Sequence, residues 1–143
     1  MCIRDRFRTY PKTSQALQAL QLRLRIDSER RQRELDPVLN IQVPAAVPTL
    51  RAITEQFPTA PPAQSAFLRL AEAYEDLQQF ERAAQALADL ATNFPANAGE
   101  AWFRAGEIYE RRLRNAERAR DAFGKVPEGS PRYRDAQRKL GRR

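Results

Sequence analysis

The side chains of this sequence that could take part in chemistry are mostly carboxylates and guanidinium groups. Histidine is absent, which removes the commonest general base near neutral pH and the commonest zinc ligand. The one cysteine, Cys2, allows neither a disulfide within the chain nor a cysteine metal site. No phosphate-binding GxxxxGK(S/T) segment is present. The residue types therefore offer no catalytic constellation, and we expect no enzymatic activity, no cofactor, no metal and no small-molecule substrate.

The charged side chains are distributed unevenly. Residues 44–109 carry 4 basic and 8 acidic side chains, whereas residues 110–143 carry 12 basic and 5 acidic ones. A basic face can bind phosphates through charge alone, but proteins that bind single-stranded nucleic acid interleave aromatic stacking platforms with their charges. Here Tyr133 is the one aromatic residue among the last basic side chains. We expect a solvated final helix with cations that suit its dipole, and keep a polyanion-binding or nucleic-acid-binding module as the alternative.

The elements that must position these charges are helices. Apolar residues recur at steps of three and four, the spacing of one helix face. This pattern predicts an all-α fold of about seven helices, at 13–35, 46–57, 62–78, 80–93, 98–113, 116–125 and 131–140. No period-two strand pattern is found, and the proline-containing stretch 36–48 is predicted to be an extended connection.

The domain organisation is predicted in three parts. Residues 1–6 have the character of an artefactual leader, residues 7–43 form a long helix and the connection, and residues 44–141 form the repeated helix pairs with a capping helix. No apolar run is long enough to span a membrane. The first helix has a short seam like that of a coiled coil, and we expect this seam to pack on the following helix. The seam residues are Leu17, Leu20, Leu24, Arg31 and Leu35.

Two segments, 67–74 and 102–109, repeat one another at an offset of 35 residues. Each begins with an aromatic residue, has a small residue four positions later (Ala71, Gly106) and a tyrosine three positions beyond. A second pattern with spacings of 4, 3 and 5 occurs three times: Ala46, Leu50, Ile53, Pro58; Ala83, Leu87, Leu90, Pro95; and Ala119, Phe123, Val126, Pro131. Such repetition indicates a repeat protein.

The repeated positions have a physical meaning. A small residue such as Gly106 lets a second helix approach closely, and a closing proline cannot continue a helix. Two helix starts are also predicted. Asn97 with Glu100 has the spacing of a capping box, and Ser130 with Pro131 that of an N-cap followed by proline at the first helical position.

These residues resemble the tetratricopeptide repeat, a helix-turn-helix unit of about 34 residues. The matching signature positions are Trp102, Gly106, Tyr109, Ala119, Phe123 and Pro131, and in a looser form Phe67, Ala71, Tyr74, Ala83 and Pro95. The longer spacing and the Phe-Pro closures at 57–58 and 94–95 are similar to the variant in bacterial envelope proteins, such as the outer-membrane assembly lipoprotein and the cell-division coordinator. The resemblance implies a right-handed solenoid of antiparallel helix pairs that binds proteins. It favours the periplasm or cell envelope, with the cytoplasm left open.

In such repeats the first helix of each pair lines a concave surface. By this resemblance the surface should be lined by Leu68, Glu72, Glu75, Asp76, Phe103, Glu107 and Glu110. The resemblance thus implies an acidic groove with two apolar contacts, suited to a basic or amphipathic protein or peptide. An ordinary solvated helix face is the alternative. The carboxylate clamp of chaperone-binding repeats needs Lys, Arg and Asn in the groove and is not expected here.

Overall fold

The computed structural model describes residues 13–141, and these residues fold mainly into helices. The elements, in chain order, are α1 (Ser14–Arg30), β1 (Arg33–Leu35), β2 (Gln42–Pro44), α2 (Ala46–Gln56), α3 (Pro61–Asp76), α4 (Phe80–Asn93), a 3-10 turn (Pro95–Asn97), α5 (Ala98–Arg111), α6 (Ala116–Gly124) and α7 (Tyr133–Lys139). The seven helices lie where the spacing predicts them, so the all-α fold class is confirmed. The described residues divide into two compact units, with the division between residues 66 and 67. The predicted boundary at residue 44 stays a prediction, and the predicted leader lies outside the described residues.

In the first unit, α1 packs on α2 through the inner side of the predicted seam. Ala16 and Leu20 are buried, and the Thr49 hydroxyl donates a hydrogen bond of 2.8 Å to Asp27. The Thr13 side chain caps α1 by accepting from the amide of Ala16. Packing on the following helix is thus as predicted, but Leu20 is the one buried residue of the predicted seam, and Arg31 and Leu35 lie beyond α1 and are exposed.

The helix α1 ends at Arg30, five residues before the predicted end. Arg31 adopts a left-handed conformation with φ of 52°, which stops the helix. The next residues then pair as a two-stranded antiparallel hairpin in which Glu34 faces Val43. The prediction of no strands is wrong here, because three-residue strands are too short to show a period-two pattern.

A buried ion pair attaches the hairpin to α2. The Asp36 carboxylate is fully buried and accepts two hydrogen bonds from the guanidinium of Arg51, one of them 2.9 Å from Nη1 to Oδ1. It also accepts from the amide of Val38 at 2.9 Å, which fixes the turn. The hydrogen bond from Arg51 holds the pKa of Asp36 below its ordinary value, although burial acts in the opposite direction.

The second unit packs helix against helix through small residues and aromatic rings. Helix α5 contacts both α4 and α6, and α6 contacts α7. A β-carbon added at Gly106 would lie 2.5 Å from the ring of Phe123, so the predicted close approach at this glycine is confirmed. A β-carbon added at Gly99 would lie 2.4 Å from the Cβ of Ser130, so this glycine also allows a close approach. The rings of Phe67 and Phe94 meet edge to face at 6.5 Å.

The two predicted caps differ from the structure. Asn97 lies at the N-cap of α5, but its side chain makes no capping hydrogen bond, and the Glu100 carboxylate instead accepts from Arg132 at 2.9 Å. The capping-box prediction is therefore wrong. Helix α7 begins at Tyr133, later than predicted, because the Ser130 hydroxyl accepts from the amide of Arg132 in a preceding turn.

Candidate partner-binding surface

The candidate surface is formed by one face of α3 and one face of α5. Leu68, Glu72 and Asp76 are spaced four residues apart, so they form one row along α3. Glu72 and Asp76 are exposed and Leu68 is half-buried. Glu107 and Glu110 lie on α5 and are partly exposed. These residues keep the solvent contact that a binding role requires.

Arg104 joins the two helices of this surface. Its Nη1 lies 3.9 Å from Oε1 of Glu72, and its Nη2 lies 3.7 Å from Oε2 of Glu75. Arg104 is absent from the predicted set of surface residues, although it is three residues before Glu107 and so lies close to the same helix face. The surface thus carries a positive charge between its two rows of carboxylates.

Two further cations meet the carboxylates of α5. Arg111 lies 3.4 Å from Glu107, one helical turn away, and the ammonium of Lys139 donates a hydrogen bond of 2.8 Å to Glu110. The five carboxylates of the surface outnumber by one its four cations, which are Arg104, Arg111, Arg112 and Lys139. The acidic groove of the prediction is therefore a surface of mixed charge with an acidic excess.

A shallow depression of about 190 Å³ lies beside Arg104. Its lining consists of Glu75, Arg104, Glu107, Ile108, Arg111 and Arg112. Since Ile108 is buried, charged groups provide the accessible lining. Such a site suits the tip of a charged side chain more than a large apolar one.

Phe103 differs from the expectation of an exposed apolar contact. It is 5% exposed, its ring centroid lies 5.5 Å from that of Phe123, and the guanidinium of Arg132 lies 4.9 Å from its ring. Arg132 is held there by Glu100. Phe103 thus packs inside the helix pair, and the guanidinium of Arg132 lies over its ring. Leu68 is therefore the accessible apolar residue of the predicted set.

The basic stretch of the last helices is largely paired with carboxylates. Ion pairs join Arg118 to Glu81, Arg132 to Glu100 and Asp135, and Arg138 to Asp135. Arg118 also donates to the hydroxyl of Tyr109 at 2.9 Å, and the hydrogen bond to Glu81 raises the pKa of Arg118. Arg118 and Arg132 thus join neighbouring helices and Arg138 pairs within α7, so these cations do not form one unpaired positive face.

Within residues 13–141 no group of three or more acidic, histidine or cysteine side chains is arranged to hold a metal ion. No helix of this part of the chain is long and apolar enough to cross a membrane.

Comparison with known proteins identifies the repeat. The family model of the tetratricopeptide repeat matches residues 65–97 and 100–131. Among solved structures, the crystal structure of MamA matches with a TM-score of 0.54 and 20% sequence identity, covering 99% of this chain and 82% of that chain. At this identity the likeness shows the fold alone. No curated protein is a significant match.

The matches confirm the predicted tetratricopeptide repeats and the all-α helical-repeat fold. Repeats of this kind generally mediate protein–protein interaction. The narrower resemblance to bacterial envelope proteins is not confirmed by these matches.

Proposed function

We propose that this helical-repeat chain is a non-enzymatic scaffold that binds a basic or amphipathic segment of a partner protein along α3 and α5. The observation that carries the proposal is the acidic excess on this face, arranged in two rows with Arg104 between them. The proposed contact residues are Leu68, Glu72, Glu75, Asp76, Glu107 and Glu110. Phe103 would add an apolar contact only if the guanidinium of Arg132 moved away from its ring.

The charge arrangement suits exchange of ion-pair partners. The contacts of Arg104 with Glu72 and Glu75 are long, and Glu72 is exposed, so they hold the surface together weakly. A lysine or arginine from a partner can take the place of Arg104 at either carboxylate without leaving a buried charge unpaired. Asp76 adds an exposed carboxylate at the end of the row, and Leu68 adds apolar contact at the other end. Charge would thereby steer the encounter and set the register of the bound segment.

The repeat closures motivate a cellular setting for this scaffold. Helices α2 and α4 both end immediately before a Phe-Pro pair, at 57–58 and 94–95. These closures are similar to those of repeats in bacterial envelope proteins. By this resemblance, the proposed partner is a component of bacterial envelope assembly. Fractionation of cells that express the complete gene tests this part separately, since recovery in the cytosol would contradict it.

Binding to a matched pair of peptides tests the proposed surface. One helical peptide carries a leucine stripe flanked by lysines, and its control replaces every lysine with glutamate. Fluorescence anisotropy should show at least about tenfold tighter binding of the lysine peptide, and the difference should shrink with salt. The double variant Glu72→Lys/Asp76→Lys should lose this preference, whereas Glu128→Lys, at an exposed loop position outside the surface, should retain it.

Leu68→Ala is the apolar test, because Leu68 is half-buried at the edge of the surface. Phe103→Ala is unsuitable, since it would open a cavity beside Phe123 and weaken the fold itself. Equal binding of both peptides, or an unchanged preference in the Glu72→Lys/Asp76→Lys variant, would contradict the proposal.

A further inference from the structure

The exposed large hydrophobic side chains of the described residues all lie between residues 22 and 41. They comprise Leu22, Ile26, Leu35, Val38 and Ile41. Leu22 and Ile26 belong to α1 and are 58% and 40% exposed. Since α1 already buries Ala16 and Leu20, its apolar surface extends beyond the part that is buried, and this extension is exposed among residues 13–141.

The exposed face of α1 has the spacing of a helix-pairing seam. Ala19, Leu22 and Ile26 follow one another at steps of three and four, which places them in one stripe. The stripe lies to one side of the buried face, because Leu22 is turned by about 200° from Leu20 and Ile26 by about 80° from Ala16 around the helix.

Two arginines flank the stripe. Arg25 follows Leu22 by three residues and Arg30 follows Ile26 by four, so each lies beside an apolar side chain on the same face. Neither arginine forms an ion pair with any other described residue, in contrast to Arg23, which pairs with Asp27 at 3.6 Å. Within α1, Glu29 is the acidic side chain on this face.

We propose that the outer face of α1 is a second docking surface, which binds an amphipathic helix of a partner protein whose apolar stripe is flanked by glutamates or aspartates. The three-and-four spacing selects a helix as the occupant, and the two unpaired arginines select acidic flanks. This surface lies outside the matched repeats at residues 65–97 and 100–131. It has the opposite charge preference to the surface on α3 and α5.

Two other occupants fit the face less well. A second copy of the chain would bring the same arginines to the interface, with Glu29 of each copy as the offsetting charge. A lipid surface favours a wide apolar face with aromatic residues, whereas this stripe is narrow and α1 contains no aromatic residue.

The test uses a designed helical peptide with isoleucine and leucine at the seam positions and glutamate on both flanks. Glutamate also prevents the peptide from pairing with itself. The control peptide carries lysine in place of every glutamate. With the complete chain, anisotropy should show at least about tenfold tighter binding of the glutamate peptide. The double variant Leu22→Ser/Ile26→Ser should lose this binding, whereas Val38→Ser, which removes an equally exposed side chain from the hairpin turn, should retain it.

Charge reversal provides a readout that misfolding would not mimic. In the double variant Arg25→Glu/Arg30→Glu, the preference should change to the lysine peptide while the helical circular-dichroism signal stays the same. Four results would overturn the proposal: equal binding of both peptides, binding that survives Leu22→Ser/Ile26→Ser, self-association of the chain that this variant abolishes, or vesicle binding that this variant abolishes.

Discussion

The two units of the molecule stabilise themselves in different ways. In the second unit, Gly106 and the rings around Phe123 allow close helix packing, and the ion pairs lie at the surface. In the first unit a fully buried ion pair, Asp36 with Arg51, attaches a short hairpin to α2. The same unit exposes large apolar side chains, which the described part of the second unit does not. The repeated part of the chain is thus stabilised by regular helix packing. The preceding part has a buried ion pair and an exposed apolar face.

The largest expected effect concerns the buried ion pair of the first unit. Asp36→Ala removes the carboxylate that pairs with the mostly buried Arg51 guanidinium, and should reduce the free energy of unfolding by about 3–5 kcal/mol. Urea denaturation, followed by circular dichroism, measures this change in the free energy of unfolding. Glu34→Ala, at an exposed strand position two residues away, is the control and should change stability by less than about 0.5 kcal/mol. A loss for Asp36→Ala as small as that of the control would show that the pair does not hold the hairpin.

The next effect concerns the close packing of the second unit. Gly106→Leu forces a side chain against the ring of Phe123 and should cost about 1–3 kcal/mol or more through overpacking. Gly124→Leu is the matched control, because no atom lies within 4 Å of a β-carbon added there. Thermal denaturation should give a lower melting temperature for Gly106→Leu than for Gly124→Leu. Equal melting temperatures would mean that α5 and α6 do not approach as described.

The pH dependence of stability sharpens the contrast between buried and exposed pairs. The pKa of Asp36 is lowered in the folded state, so its stabilising contribution is complete above the ordinary value of 3.8 and is lost as the pH falls through the lowered value. We expect the stability difference between the natural chain and Asp36→Asn to be largest at neutral pH and to shrink below about pH 4. Denaturation at several pH values measures this difference, and a difference that grows on acidification would contradict the assignment.

The smallest expected effect concerns the surface pairs of the second unit. Arg118→Ala removes the contacts with Glu81 and Tyr109 and should cost about 0.5–1 kcal/mol, with less effect at high salt. Arg120→Ala, on the same helix and without an ion pair to a described residue, is the control. If the loss for Arg118 reached that of Asp36→Ala, the proposed difference between the two units would be wrong.

Much of the helical framework could be predicted from the sequence because it rests on local signals. Periodicity, prolines and small residues are neighbours along the chain, and they locate α2 to α6 to within a few residues and identify Gly106 as a contact point. The hairpin could not be predicted, since its strands have three residues each and depend on a pair formed across 15 positions, between Asp36 and Arg51.

The candidate surface could be predicted in part for the same reason. The row Leu68, Glu72 and Asp76 follows from helix geometry alone. The cover of Arg132 over Phe103 and the bridge from Arg104 to Glu72 join different helices, so sequence spacing gives no direct sign of them.

Backbone amide NMR shifts recorded with the lysine-flanked peptide test whether a partner segment binds along α3 and α5. The largest shift changes should fall on residues 68–76 and 104–110, and they should disappear in the Glu72→Lys/Asp76→Lys variant. Shift changes confined to residues outside these two segments, or unchanged by that variant, would contradict such binding.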